Sequence, residues 1–341
     1  MKTKMPDKKR YSKVIAKQQS ILFDIDDSPL QAEENPATPS IEDLNRESVL
    51  KRKAEEAAMK TQQSMRFISL GSGSSGNCAY IGTETQGVLI DAGVDSKKVF
   101  ASLADNGIKP EMVKGVILTH DHGDHVRYAY SIARNNKHIR IYCTLRVLNG
   151  IFRRHSISRR LKEVHESIFK EIPFSLAGMQ FTAFDVSHDG TDNAGFFVEY
   201  GTQHFAIATD LGCITERARF YMTKADYLMI EANYDSAMLD NGKYPEYLKN
   251  RIRADNGHLD NKVTAEFVAN SCDERLKYVF LCHLSNDNNT PEIACRVVSE
   301  ALKAKGRIVG TGEGLIDADS AAVQVVALPR FDNSRWFVLK K

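Results

Sequence analysis

The stretch Thr119-His120-Asp121-His122-Gly123-Asp124-His125 places three histidines and two aspartates within residues 120–125. It follows "GVIL", an apolar run that reads as a buried strand. Neutral imidazole and carboxylate are the usual protein ligands of Zn²⁺, Mn²⁺ and Fe²⁺. From an extended loop the i, i+2 pair His120 and His122 can point the same way. Asp124 and His125 then begin the next helix and can face a second ion. Three later segments share one form, an apolar run followed by one ligand-capable residue and then turn residues. They are "FDVSHDG" with His188, "AIATDLG" with Asp210 and "VFLCHLS" with His283. Together they bring the set to seven ligands, enough for two divalent ions.

The rest of the pattern is that of a layered α/β domain. "MRFISL", "CAYIG" and "GVLID" read as three successive strands, and "DSKKVFASLADNG" as a helix ended by Gly107. Strands and helices then alternate to "PEIACRVVSEALKAK", and two late strands, "AVQVVAL" and "RWFVLK", close the pattern. The loop "GSGSSG" (71–76) fits G-x-G-x-x-G, with Asp91 20 positions after Gly71. A dinucleotide site needs a helix to open at the third glycine. Here "NCAYIG" follows, β-branched and aromatic, so the match is a decoy for a nucleotide cofactor.

Residues 1–64 have a different texture. "DDSPLQAEENPATPS" cannot form a core, and only 41–62 has the composition of a helix. This segment is expected to be a flexible extension of a domain spanning 65–341, able to dock a protein partner. Basic and acidic residues nearly balance in both parts, 12 against 11 in 1–64 and 34 against 33 beyond, so any nucleic-acid surface must be local. The sequence has no apolar run of membrane-spanning length and no signal-peptide core. Its six cysteines are scattered. These features suit a cytoplasmic protein with reduced thiols and no membrane contact.

In order and context the ligand set resembles the metallo-β-lactamase superfamily, whose H-x-H-x-D-H motif is met by His120, His122, Asp124 and His125. "SLGSGSSGNCAYI", "THDHGDH", "RIRADNGHLDN" and "CHLSNDNNTPEIA" are similar to the YycJ/WalJ (VicX) subfamily, described as metal-dependent nucleases with a proposed DNA exonuclease activity. The resemblance implies an αββα four-layer sandwich, two mixed β-sheets flanked by helices. It implies that His120, His122 and His188 bind one metal, that Asp124, His125 and His283 bind a second, and that Asp210 bridges them. Asp91 and Thr119 would brace these ligands from behind. Two departures from the subfamily pattern are "GTDNAGF" after His188-Asp189 and Asp260 in place of a serine.

Two neighbouring ions can share a hydroxide at neutral pH and clamp a phosphodiester. On this reading Asp124 and Asp210 are catalytic through the metals. His258, in a polar turn beside "KNRIR", is a candidate leaving-group acid and substrate contact. The three glycines of 71–76 let the backbone approach a ligand, and successive N–H groups there could form an anion nest. Ser74, Ser75 and Asn77 are expected to touch substrate, as are Asn261, Ser285 and Asn288 in the later motifs. Basic segments around Arg153, Arg154, Arg159, Arg160 and Lys162, and around Lys249, Arg251 and Arg253, offer phosphate contacts. A small-molecule hydrolase acting on a cyclic phosphodiester, lactone or thioester is the alternative, and a scaffold acting through residues 1–64 a further one.

Overall fold

The computed structural model describes Val49, residues 63–312 and residues 322–340. The expected extension over 1–64, with its helix at 41–62, lies outside the described residues except for Val49, Gln63 and Ser64. The first sheet begins with β1 (Met65–Gly71), β2 (Cys78–Gly82) and β3 (Gly87–Ile90), which pair antiparallel. Helix Ser96–Asp105 leads to β4 (Val113–Ile117), and β5 (Arg140–Cys143) and β6 (His165–Ser167) follow, each parallel to its predecessor. The residues after Gly76 thus enter an antiparallel strand and not a helix.

The second sheet contains β7 (Phe174–Leu176), β8 (Met179–Asp185), β9 (Ala194–Tyr200) and β10 (Gln203–Ala208), paired antiparallel. To these β11 (Tyr227–Glu231), β12 (Tyr278–Cys282), β13 (Val309–Gly310) and β14 (Val323–Ala327) add in parallel. Strand β15 (Phe337–Leu339) returns to the first sheet beside β1. The orders are β15-β1-β2-β3-β4-β5-β6 and β13-β14-β12-β11-β10-β9-β8-β7.

Three apolar layers hold these elements. Between the sheets, the Phe67 ring lies 4.7 Å from Phe280 and 5.1 Å from Phe205. Outside the first sheet, Val99, Leu103, Ile132 and Ile151 seal its helices; outside the second, Met222, Val268 and Leu302 do the same. The result is helix, sheet, sheet, helix, the four-layer sandwich. Strands β2, β11 and β12 are buried throughout, which is why they read as unbroken apolar runs. Helices Ala129–Asn135, Glu216–Met222, Ser236–Asn241 and Glu246–Arg253 were not anticipated. They are too short for a 3.6-residue period to stand out. Among the described residues no helix is long and apolar enough to cross a membrane.

The chain leaves three of the parallel strands through unusual backbone. Asp91 after β3, Asp210 after β10 and His283 after β12 have φ of 62°, 53° and 53°. Left-handed backbone costs a non-glycine residue about 1–3 kcal/mol and clusters at functional sites. Next to them the loops are clasped: Asn77 N–H donates to Asp124 O at 2.8 Å, Gly93 N–H to Asn77 O at 2.8 Å and Ala92 N–H to His125 O at 2.6 Å. A Cβ on Gly93 would lie 1.5 Å from Asp124 O. Gly93→Ala should therefore lower the urea midpoint far more than Gly107→Ala. At Gly107 a Cβ meets nothing within 4 Å, and only left-handed strain of about 1–2 kcal/mol is at stake. Equal losses in the two unfolding curves would contradict the close-approach argument.

Candidate metal centre

Asp91 joins the two strand ends that begin the site. Its Oδ1 accepts from Thr119 N–H at 2.8 Å, its Oδ2 accepts from Thr119 Oγ1 at 2.9 Å, and the same Oδ2 lies 2.7 Å from His125 Nδ1. His125 and Asp124 ride on the helical turn Gly123–Val126, which His122 precedes in extended backbone. The His125 ring is thereby fixed with Nε2 facing inward.

Four overlapping groups of ligand atoms result, the atoms of each within 4.8 Å of one another: His120, His122 and His188 in one, Asp124, His125 and His283 in another, and, overlapping these, His120, His125 and Asp210 and the set Asp210, Glu231, His258 and His283. Outer ring nitrogens are occupied by protein. His188 Nδ1 bonds Gly257 O at 2.9 Å, His120 Nδ1 lies 2.9 Å from Thr119 Oγ1, and His122 Nε2 is 3.2 Å from Asp189 Oδ1. What remains faces inward: His122 Nδ1 and His188 Nε2 lie 3.3 Å apart. Asp210 lies between the first two groups, with Oδ2 3.2 Å from His125 Nε2 and Oδ1 3.7 Å from His188 Nε2. His120 Nε2 and His283 Nε2 are buried without a hydrogen-bond partner. Unsatisfied buried nitrogen costs about 1–3 kcal/mol. Orphaned nitrogens converging with carboxylates fit divalent cations, and these residues could hold them.

The electrostatics agree. Burial pushes His120 and His188 below the usual imidazole range and His122 down to about 4, leaving neutral ligands. Burial opposes charge on His283 as well, but Asp210, Asp124 and Glu231 raise it to about 10. His125 is likewise raised against burial by Asp210, Asp91 and Asp124. Asp210, although buried, is held well below the carboxylate range by His283 and His125.

Glu231, at the end of β11, is the main site residue the sequence reading missed. Its Oε1 lies 2.8 Å from His258 Nδ1 and 2.9 Å from His283 Nδ1, and its Oε2 accepts from Leu211 N–H at 2.6 Å. The signal was present: "YLMIEA" has the same form as the other ligand-bearing strands. Asp121, inside the first motif, was also given no role. It is fully buried, accepts from Thr191 N–H at 2.8 Å and pairs with Arg154 Nε at 3.2 Å. Thr191 belongs to the divergent "GTDN" turn. Asp260, the other departure, caps helix Asn261–Ser271 by accepting from Lys262 N–H at 2.7 Å.

A cavity of about 400 Å³ opens over the ligands, with Ser74, Arg154, Arg251 and His258 in its wall. The His258 ring stacks on His283 at 5.2 Å. Ser75, Asn77, Asn261, Ser285 and Asn288 do not line this cavity. Asn77 is buried, its amide donating to Gly73 O and to Asp124 Oδ2 at 3.2 Å. Asn261 exchanges amide hydrogen bonds with Asn289 at 2.9 and 2.8 Å. Asn288 is fully buried, and Ser285 Oγ accepts from its N–H at 3.2 Å. In this structure Asn77, Asn261 and Ser285 hold neighbouring segments together, and Asn288 Oδ1 is buried without a partner. In the glycine loop the N–H groups of Ser72, Gly73, Gly76 and Asn77 bond within the protein, which restricts an anion nest to the tip residues Ser74 and Ser75. Of the basic residues, only Arg154 and Arg251 reach the cavity. Lys249 is buried with Nζ on Asp240 O, and Arg159 lies over the Phe152 ring.

Asp91→Asn removes the carboxylate behind His125 and Thr119 without changing shape. It should weaken divalent-ion affinity about 10–100-fold, measured by competition with a chelating dye, while the circular dichroism stays unchanged. Wild-type affinity would show that Asp91 does not support the ligands.

The fold has known counterparts. A model of the β-lactamase superfamily domain matches residues 86–280. Exodeoxyribonuclease YycJ of Bacillus anthracis is 31% identical over 256 residues, covering 75% of this chain and 96% of the relative. Exodeoxyribonuclease WalJ of Streptococcus pneumoniae serotype 2 is 33% identical over 233 residues, 67% of this chain and 85% of its own. Among solved structures, the metallo-β-lactamase fold protein YhfI from Bacillus subtilis superimposes with a TM-score of 0.57 at 13% identity, over 81% of this chain and all of that one. With the converging histidines and aspartates, these matches establish that the chain belongs to the metallo-β-lactamase superfamily of hydrolases.

Proposed function

We propose that the chain is a two-metal phosphodiesterase that degrades DNA as an exonuclease. The observation that carries this reading is the cavity wall. Five of the seven metal-ligand candidates (His122, Asp124, His188, Asp210 and His283), two arginines and one carboxylate-backed histidine face the same space, with His120 and His125 buried behind them. The two relatives named exodeoxyribonuclease support the choice of DNA. His120, His122 and His188 would hold one ion and Asp124, His125 and His283 the other, with Asp210 shared. Divalent ions bound there, Zn²⁺ or Mn²⁺ by the donor set, supply Lewis acidity and lower the pKa of water toward neutrality.

The chain's own residues divide the remaining work. Arg154 and Arg251 present guanidinium groups that fit phosphate oxygens, each with donors beyond those spent on Asp121 and Asp189. Glu231 holds His258 Nδ1 and leaves Nε2 as the free ring nitrogen. From the cavity wall His258 can deliver a proton to a leaving 3′ or 5′ oxygen. Glu231 also holds His283, so one carboxylate sets both a ligand and the acid.

His258→Ala should lower kcat on single-stranded DNA about 10²–10⁴-fold and leave the metal content intact; full turnover in the variant would remove His258 from the reaction. With the wild-type enzyme, kcat/KM on DNA should fall steeply as salt rises, because backbone contacts release counterions. A flat salt response, with better turnover of thioesters or lactones than of DNA in the same panel, would place the enzyme among small-molecule hydrolases.

A further inference from the structure

The glycine loop 71–76 separates two cavities. Ser74, at its tip, lines the metal cavity; the next residue, Ser75, lines a second cavity of about 180 Å³ on the other side. Consecutive Cα atoms are about 3.8 Å apart, so the wall between the two is one residue thick. The loop is locked there. A Cβ on Gly76 would lie 2.6 Å from Gly93 O, and one on Gly73 3.2 Å from the Arg330 guanidinium carbon.

The second cavity is cationic. Lys98, Arg127 and Arg330 line it, against one carboxylate, Asp95. Asp95 Oδ1 is committed to the start of helix Ser96–Asp105, accepting from Lys97 N–H at 2.9 Å and Lys98 N–H at 3.4 Å. Among the described residues the exposed Arg127 side chain has no ion-pair or hydrogen-bond partner, and Arg330 Nε is buried without one. Lys98 Nζ and Arg330 Nη1 rest on the carbonyls of Phe331 and Leu284. Phe331 is 56% exposed at the rim, with the Arg330 guanidinium 5.3 Å from its ring centroid. Cationic groups with donors to spare beside an exposed ring form the combination that binds single-stranded nucleic acid, phosphate on the cations and base on the ring.

We propose that this second cavity is a nucleotide subsite for the DNA strand whose phosphodiester lies over the metal centre. It rests on the nuclease reading above and deepens it. Arg127, Arg330 and Ser75 take the phosphate next along the strand, and Phe331 stacks on its base. The strand crosses the loop tip at Ser74-Ser75, which explains the serine at position 75 facing away from the metals.

The test compares Arg127→Ala, Phe331→Ala and Phe331→Trp in the full-length metal-loaded enzyme. The substrates are a single-stranded oligonucleotide and bis(p-nitrophenyl) phosphate, which is too short to span both cavities. The subsite predicts that Arg127→Ala and Phe331→Ala raise KM for the oligonucleotide at least tenfold more than KM for the small ester. Phe331→Trp should restore the oligonucleotide KM. Equal changes on both substrates, or none on either, would overturn the subsite while wild-type DNA cleavage kept the nuclease reading intact. A wild-type enzyme that hydrolysed only the small ester would overturn both.

Discussion

Buried imidazoles and carboxylates converge at the sheet ends, and a cation is what reconciles them. His122 Nδ1 faces His188 Nε2 at 3.3 Å, and Asp210 stands between His125 and His283; all but the half-buried His122 are buried. Burying such groups without partners costs several kcal/mol each. His120 Nε2 and His283 Nε2 are left buried without a hydrogen-bond partner. Divalent ions satisfy imidazoles and carboxylates alike. The rest of the fold aims these groups at one place and holds them there.

The backbone carries part of the cost of that aim. Asp91, Asp210 and His283 each turn into left-handed backbone as the chain leaves a buried strand. Asp210 and His283 line the cavity from there, and Asp91 lies behind the ligands. The three apolar layers make the strands rigid enough to sustain the strain. Asp91 and Glu231 then fix ring orientation, each accepting from groups on two other segments. Both are buried carboxylates behind the ligands, and both connect separate elements of the chain.

Much of this was legible in the sequence because it was local. "THDHGDH" after an apolar run fixes a loop and a helical turn, and His188, Asp210 and His283 each follow a run that could only be a core strand. The layered α/β class followed from alternating strands and helices. Contacts between distant segments were not legible. Glu231 earns its place through His258, 27 positions away, and His283, 52 positions away. Asn77 looked like a substrate donor in "SSGN", but its neighbour in space is Asp124, 47 positions on. The glycine loop 71–76 is a turn, closed by Gly76 N–H on Gly73 O at 2.9 Å. Gly76 is also needed for close packing against the Gly93 backbone, which no local pattern announces.

The central claim is that the strand-end cluster is a two-ion centre. Its most direct test is the number of divalent ions bound per full-length chain after metal stripping, reloading with Mn²⁺ or Zn²⁺ and dialysis, read by elemental analysis beside the thermal midpoint. The account predicts two ions per chain and a midpoint that rises on loading, because the ions bind the folded state alone. Fewer than one ion per chain, with a midpoint indifferent to metal, would contradict it.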